Sequence, residues 1–94
     1  MTFFAVEYTY GASKEQLAEI RPAHREYLAN LYDTGALLAS GPIGDFVGAL
    51  ILVKAHSVEA VVELLDRDPF DIAGFISERS IREWTQVFGP FDAS

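Results

Sequence analysis

Hydrophobic and polar residues change their spacing several times along the chain, and each change marks a new predicted element. Residues 2–10 are rich in aromatic and β-branched types and stop at Gly11, which predicts a first strand. In residues 14–34 apolar positions recur three and four apart, which predicts a largely helical segment that ends at Gly35. The chain therefore opens with a strand followed by a helix.

Pro22 interrupts this first helical segment. Inside a helix, proline removes one backbone hydrogen bond and clashes with the preceding turn. Ser13 followed by Gln16 resembles a capping box, so helical structure begins well before the proline. We expect a short opening turn over residues 14–20 and then a main helix with Pro22 at its first position. This arrangement would place His24 in the first turn, close to the positive end of the helix.

The middle of the chain predicts two strands joined as a hairpin-like unit. Residues 36–40 form a short strand that Gly41 and Pro42 break, and a following Gly-Asp pair is typical of a turn. Residues 48–53 are apolar at successive positions, which is expected of a strand covered on both faces.

The second half predicts one more helix and one more strand. Ser57 caps a helix that Asp68 and Pro69 end. After a connecting turn, residues 75–84 carry a mixed strand pattern that closes with Trp84, and the last ten residues form a tail. The helix has one apolar stripe, formed by Val58, Val61, Val62 and Leu65.

The predicted order is β-α-β-β-α-β, which is the ferredoxin-like α+β arrangement: a four-stranded antiparallel sheet with both helices on one face. Residues 1–94 then form a single domain. Because the strand over residues 48–53 is apolar on both sides, we expect two subunits to pack sheet against sheet in a homodimer.

Composition narrows the classes of function. The chain has 94 residues, 50% of them hydrophobic, and a net charge of −7 with only 7 basic residues, which argues against a nucleic-acid surface. It has no cysteine, so disulfides, thiolate nucleophiles and Cys-ligated zinc are excluded, and a cytoplasmic location is the natural default. The N-terminus shows no signal-peptide pattern, and we expect no membrane partner.

His24 is the residue that most clearly indicates chemistry. It lies on the apolar side of the first predicted helix, where a structural role would favour Leu or Ile. The best candidate partner is Asp68, a carboxylate at the turn after the second helix. A His and an Asp in a mostly apolar pocket form a proton-transfer pair.

Four short motifs, in the right order and with compatible spacing, resemble the YCII-related (YciI-like) family over nearly the whole chain. They are Arg21-Pro22-Ala23-His24 with Tyr27-Leu28 after it, Ser40-Gly41-Pro42, Asp68-Pro69-Phe70 and Ala73-Gly74.

The resemblance implies a ferredoxin-like fold, dimers of the α+β barrel kind, and a pocket that contains a His-Asp pair. Position by position, the family's His falls on His24 and its Asp on Asp68, with Ser40 near the same pocket. One branch of the family acts as a dehydrochlorinase on a chlorinated hydroxyquinol, and the fold is shared with muconolactone isomerase.

We therefore predict a small enzyme without a cofactor, a lyase or isomerase that acts on a small cyclic or enolisable substrate. Asp68 would orient and polarise His24, the general base, whose charged form the carboxylate favours and the helix end disfavours. Arg21 would bind a substrate carboxylate or phenolate. The Ser40 hydroxyl or the Gly41 backbone amide would stabilise developing negative charge.

Each of these residues also has an architectural interpretation. A His on an apolar helix face is usually a hydrogen-bonded structural residue, and Asp before Pro commonly bonds nearby backbone amides at a turn. Arg21 has surface acids such as Glu19 and Glu26 as alternative partners, and Ser40 has the role of filling space beside the Gly-Pro bend.

Other functions compete with the enzyme. The main alternative is a dimer that binds a small ligand without turnover, and a structural subunit of a larger complex ranks last. A metal site is the poorer interpretation, because it would need His24, Asp68 and a further carboxylate, so we predict none. The pattern assigns no role to Arg79 and Arg82 on the last strand: pocket, dimer contact and solvated charge stay open.

Overall fold

The strands and helices of the computed structural model, which describes residues 1–92, follow the predicted order with one short helix added. The elements are β1 Thr2–Tyr10, α1 Lys14–Thr34, β2 Leu37–Ile43, β3 Gly48–Ala55, α2 Val58–Leu65, α3 Pro69–Ile72 and β4 Ile76–Trp84. The four strands form one antiparallel sheet in the order β2-β3-β1-β4. The ferredoxin-like α+β prediction is confirmed.

The hydrophobic core lies between the sheet and the helices. Alternate residues of β1 and β3 face the helices, and Val6, Ile51 and Val53 have no exposed surface. Val61 and Leu65 of α2 are equally inaccessible and pack on the sheet, whereas Val58, at the start of the predicted stripe, is 46% exposed. Among residues 1–92, no helix combines the length and hydrophobicity needed to cross a membrane.

Helix α1 is one continuous helix, so the predicted break before Pro22 is wrong. The Ser13 hydroxyl accepts a hydrogen bond from the Gln16 backbone amide, and the Ser13 amide donates to the Gln16 side chain, which completes the capping box. Leu17, only 2% exposed, anchors the segment before the proline in the core. Its packing offsets the local cost of Pro22, which lies on the exposed side of the helix.

Strand β2 is longer than the predicted strand over residues 36–40, because Gly41 and Pro42 do not break it. Pro42 pairs with Ala49 of β3 in the ladder. Since β2 is at the edge of the sheet, a residue without a backbone amide is tolerated there.

The chain after α2 contains a one-turn helix, α3, where the sequence predicted only a turn. Asp68 is its N-cap and Pro69 occupies the first turn. This is the favoured position for proline in a helix. Its N-cap residue Asp68 lies within hydrogen-bond distance of His24, which is in the middle of α1.

The predicted tail packs partly on the face of the sheet opposite the helices. The Phe91 ring lies edge-on against Phe3 of β1, with ring centroids 6.4 Å apart, and Trp84 stacks on the same Phe3 at 6.1 Å. The Gln86 side chain bonds both backbone groups of Phe91. Residues 93–94 of the predicted tail lie outside the described residues.

Candidate active site

His24 and Asp68, 44 residues apart in the chain, meet in a buried hydrogen bond with 2.7 Å between Nδ1 and Oδ1. His24 is 6% exposed and Asp68 has no exposed surface. Both side chains are therefore removed from bulk water, where a polar group needs a partner. Folding brings together the two residues that the sequence proposed as a pair.

Three donors converge on the Asp68 carboxylate. Oδ1 accepts hydrogen bonds from the His24 ring and, at 3.0 Å, from the Phe70 backbone amide. Oδ2 accepts a hydrogen bond from the Tyr8 hydroxyl at 2.9 Å. Asp68 thus caps α3, as the architectural interpretation predicted, and also contacts His24, so the two roles are combined in one side chain.

This arrangement determines which nitrogen of His24 carries the proton. An ionised carboxylate only accepts hydrogen bonds, so Nδ1 is the donor toward Asp68. The neutral ring then has its basic lone pair on Nε2. Because the ring also lines a cavity, Nε2 is the nitrogen left to act on a ligand.

His24 lies in the interior of α1, ten residues beyond Lys14 at the helix start, so its predicted place in a first turn is wrong. The helix dipole acts mainly within the terminal turns. The helix dipole therefore does not counteract the effect of the Asp68 carboxylate on His24. The imidazole contacts Asp68 and Phe70. The Phe70 ring stacks on the imidazole, with centroids 4.1 Å apart and planes inclined by 16°.

The cavity beside His24 has a volume of about 200 Å³. It lies between α1, the β2 strand edge and α3, and its wall combines aromatic and aliphatic side chains with a few polar groups. A concave apolar site with few polar groups is typical of a small-molecule pocket. The polar part of the wall includes Tyr10, Arg21, His24, Arg25 and Ser40.

Arg21, Ser40 and Gly41 all line this cavity, together with His24. The Arg21 guanidinium lies over the Phe46 ring, 5.0 Å from its centroid. In residues 1–92 we find no ion pair between Arg21 and a carboxylate, so the alternative pairing with Glu19 or Glu26 is absent from the structure.

Ser40 pairs with Ile51 in the ladder, and this register places its side chain on the cavity side of β2. Gly41 is the next residue along the strand and contributes to the same wall. Asp68 itself does not line the cavity, because it lies behind the His24 and Phe70 rings. Only the histidine of the pair faces the space where a ligand would lie.

The charge of Asp68 acts on two tyrosines of β1, Tyr8 and Tyr10. Burial, followed by the charge of Asp68 and the hydrogen bond to it, raises the pKa of Tyr8 far above its ordinary value, so Tyr8 stays a neutral donor. Burial also raises the pKa of Tyr10, again with a contribution from Asp68, while Arg21 and Arg25 oppose the increase. Both phenols remain protonated at neutral pH.

The sequence interpretation assigned no site role to Tyr8, Tyr10 or Arg25. The sequence contains a signal for each residue. Tyr8 and Tyr10 are two residues apart in β1 and therefore share one face of the strand, and Arg25 follows Arg21 by one helical turn. No rule based on the sequence distinguishes a tyrosine that bonds a buried carboxylate from one that only fills the core.

Arg79 and Arg82 do not line the cavity. Arg79 donates from Nη2 to Asp66 at 2.9 Å, and its Nη1 lies 3.7 Å from the Asp71 carboxylate. Arg82 is exposed and pairs with Ala5 in the ladder. Within residues 1–92, no group of three or more His, Asp or Glu side chains is placed to hold a metal ion.

Comparisons with known proteins agree with this fold. The family model described as the YCII-related domain matches residues 1–85. The proteins named YciI of Escherichia coli and Shigella flexneri are each 31% identical to the chain over 86 residues, which covers 81% of this chain and 88% of each relative.

Among solved structures, the chain resembles 5-chloro-2-hydroxyhydroquinone dehydrochlorinase (TftG) from Burkholderia phenoliruptrix, determined in complex with 2,5-dihydroxybenzoquinone. The TM-score is 0.78, and the match covers 88% of this chain and 93% of that one. The sequence identity is 22%, so this likeness establishes the fold.

Proposed function

This chain belongs to the YCII-related family, and we propose that it is a small enzyme of the lyase or isomerase type that needs no cofactor and transfers a proton with His24 and Asp68. The single observation that carries the proposal is the buried contact of 2.7 Å between the imidazole and the carboxylate, with the imidazole also lining a cavity. The substrate would be a small cyclic or enolisable compound.

His24 is the general base of the proposed reaction. Its Nε2 accepts a proton from the substrate, and the Asp68 carboxylate stabilises the imidazolium that forms. The proton then returns to another atom of the substrate in an isomerisation, or is transferred to the leaving group in an elimination. In both cases Asp68 keeps its charge and holds the ring in one tautomer.

Three further residues are proposed to bind the substrate. Arg21 provides a planar set of donors for a carboxylate or phenolate. The Ser40 hydroxyl or the Gly41 backbone amide stabilises negative charge as it develops during proton removal. This proposal is supported by the position of all three residues on the wall that His24 also lines.

The substrate class is supported by the size of the cavity and by the solved relative. About 200 Å³ accommodates a compound built on one ring. TftG is a dehydrochlorinase whose structure holds 2,5-dihydroxybenzoquinone. By analogy of fold, a hydroxylated ring or quinone is the first compound to test with this chain.

Exchange of ring hydrogens tests the proposed base without requiring the natural substrate. 2,5-Dihydroxybenzoquinone in deuterated water would be followed by proton NMR with the parent protein and with His24→Asn and Asp68→Asn. We expect the parent to accelerate exchange and His24→Asn to lose about 10²–10⁴ of that acceleration. His56→Asn is the matched control, because His56 is exposed and lies outside this cavity.

Binding of the same quinone, measured by calorimetry, separates the two functional hypotheses. If the parent binds it and accelerates exchange while His24→Asn binds it without acceleration, His24 is the base. If the parent binds it without accelerating exchange, the chain is a ligand-binding protein. If His24→Asn exchanges hydrogens as fast as the parent, the assignment of the base is wrong.

A homodimer through the helix-free face of the sheet is also part of our proposal. This face carries the large apolar side chains Ile43, Leu50 and Leu52, of which Ile43 is 39% and Leu50 38% exposed. The ladder pairs Leu52 with Ala39 of β2 and with Ala5 of β1, so small residues surround it. A second copy of the same surface would bury these side chains symmetrically.

Analytical ultracentrifugation tests the proposed dimer. We expect the parent to sediment as a dimer and Leu50→Glu to sediment as a monomer, because a charge would be buried at the centre of the interface. Val58→Glu is the control, since Val58 is 46% exposed and lies on α2, on the other side of the sheet. A monomeric parent at micromolar concentration would contradict the proposal.

A further inference from the structure

We propose that the cavity recognises a ring that carries two anionic oxygens, and that Arg25 binds the second oxygen beside Arg21. The inference rests on the proposed function, because it defines the substrate class of the same pocket. It assigns a specificity-determining role to Arg25, which the sequence interpretation did not include.

The first observation is the position of the two arginines. Arg21 and Arg25 are one helical turn apart on α1, and both line the cavity. Side chains at this spacing lie on the same face of a helix with about 5–6 Å between their Cβ atoms. This distance matches two acidic groups on one ring better than a single carboxylate.

The second observation is that neither arginine has a carboxylate partner in the described part of the chain, although the protein has 14 acidic residues. The positions three and four residues away from each arginine on α1 hold no acid. They are occupied by Leu17, Ala18, Pro22, His24, Leu28 and Ala29, and by the two arginines themselves.

Two like charges one turn apart repel each other, and no acid three or four residues away on the helix relieves this repulsion. Two other cations of the described residues do have acidic partners: Lys14 contacts Asp45, and Arg79 contacts Asp66 and Asp71. In a protein with a net charge of −7, the cavity wall is thus a local positive region. A ligand with two negative charges would neutralise it.

The third observation concerns two aromatic residues beside the arginines, Phe46 and Tyr10, which line the same cavity. The Arg21 group lies over the Phe46 ring, 5.0 Å from its centroid, and both residues line the cavity. Both arginines also act electrostatically on the phenol of Tyr10, which lines the same wall. The neutral Tyr10 hydroxyl is therefore a further donor beside the two cations.

Two unreactive probes test the inference, benzoate with one carboxylate and isophthalate with two. Calorimetric titration of the parent is expected to give an affinity for isophthalate about tenfold or more above that for benzoate, since a charge-assisted hydrogen bond contributes at least this factor. In Arg25→Gln this ratio is expected to fall to about one, with benzoate affinity changed by less than about threefold.

Two variants serve as controls. Arg25→Lys keeps the charge but loses the planar fork, so an intermediate ratio is expected. Arg67→Gln removes a cation that is exposed and does not line the cavity, so the parent ratio should be unchanged. An equal effect in Arg67→Gln would show that net charge alone causes the preference and would overturn the inference.

The remaining outcomes are equally decisive. A parent without preference for isophthalate, a parent that binds neither probe at millimolar concentration, or an Arg25→Gln variant that retains the preference would each overturn the inference. Because the probes do not react, the result is independent of whether His24 is the base. Loss of hydrogen exchange in His24→Asn together with an unaffected ratio in Arg25→Gln would leave the proposed function in place and remove only the inference.

Discussion

Two contacts between a carboxylate and a basic side chain of this protein have similar lengths and very different surroundings. The Asp68 carboxylate lies 2.7 Å from His24, and the Asp45 carboxylate lies 3.0 Å from Lys14. The side chains of the first pair are 8% and 0% exposed, whereas those of the second are 75% and 82% exposed. The distance alone therefore does not distinguish a structural or chemical role from an incidental contact.

The difference is in what surrounds each carboxylate. A buried carboxylate must be compensated by further donors, and Asp68 has Tyr8 and the Phe70 amide in addition to His24. An exposed carboxylate such as Asp45 is solvated by water, so its contact with Lys14 adds little. Only the buried pair holds its partners in one geometry, which is the condition for general base catalysis.

The largest effect is expected for Asp68→Ala. This variant leaves the Tyr8 hydroxyl, the His24 Nδ1 and the Phe70 amide without their acceptor in a buried site. We expect the free energy of unfolding to fall by about 3–5 kcal/mol, as is usual when one partner of a buried pair is removed. Urea denaturation at neutral pH measures this change, and a loss below about 1 kcal/mol would show that the network contributes little.

Tyr8→Phe is expected to have the second largest effect. The change keeps the ring in the core and removes only the donor to Asp68 Oδ2. Because the acceptor is charged and buried, we expect a loss of about 1.5–3 kcal/mol in the free energy of unfolding. Nitrogen NMR of the His24 ring provides a second measurement: because Asp68 Oδ1 still accepts from Nδ1, we expect a protonated Nδ1 in both the parent and Tyr8→Phe.

A pure packing role for Tyr8 would give a different result. In that case Tyr8→Phe would leave the free energy of unfolding unchanged. Leu31, which lies in the core away from Asp68, provides the matched comparison, because Leu31→Ala should reduce stability without changing the tautomer.

The pH dependence of stability in the alkaline range tests the same network through Tyr8. The pKa of Tyr8 is raised in the folded protein, mainly by burial, so its contribution to stability is complete below the unfolded pKa of about 10. Above about pH 10 the unfolded tyrosine ionises while the folded one does not, and stability falls by up to about 1.4 kcal/mol per pH unit.

Urea denaturation of the parent and of Tyr8→Phe between about pH 9 and pH 11 measures this contribution. Tyr10 and Tyr27, whose pKa values are also raised by burial, contribute in both proteins. We therefore expect a decline in both, with a shallower slope in Tyr8→Phe. Equal slopes would contradict the role of Tyr8 in the buried network.

The smallest effect is expected for Asp45→Ala. An exposed pair typically contributes about 0.2–1 kcal/mol, and salt screens it. We expect a change of about 0.5 kcal/mol or less at low salt and none at about 1 M salt, measured by urea denaturation. A loss comparable to that of Asp68→Ala would remove the contrast between the two pairs.

Much of the fold was predictable because local patterns agree with one another. The aromatic and β-branched residues of β1, the capping box at Ser13 and the apolar residues of α2 each indicate one element, and their order defines the ferredoxin-like arrangement. Two boundaries were not predictable. Helix α1 continues through Pro22 because Leu17 packs in the core. Strand β2 continues through Pro42 because that strand is at the sheet edge.

The candidate site was predictable only in part. The motifs around His24 and Asp68 drew attention to both residues, and Arg21, Ser40 and Gly41 all line the cavity. The hydroxyl of Tyr8 and the position of Arg25 depend on how β1, α1 and α3 meet. Spacing along the chain carries no information on such contacts between elements.

The sequence by itself determined the type and order of the elements and drew attention to His24 and Asp68 as candidates, because these follow from periodicity, capping and residue type over short distances. Only the tertiary structure decided that Asp68 would be shared by a helix cap, a tyrosine and a histidine. The physical reason is that burial removes water from all of these groups together, so each must be satisfied by whichever polar group the packing of α1, β1 and α3 brings within reach.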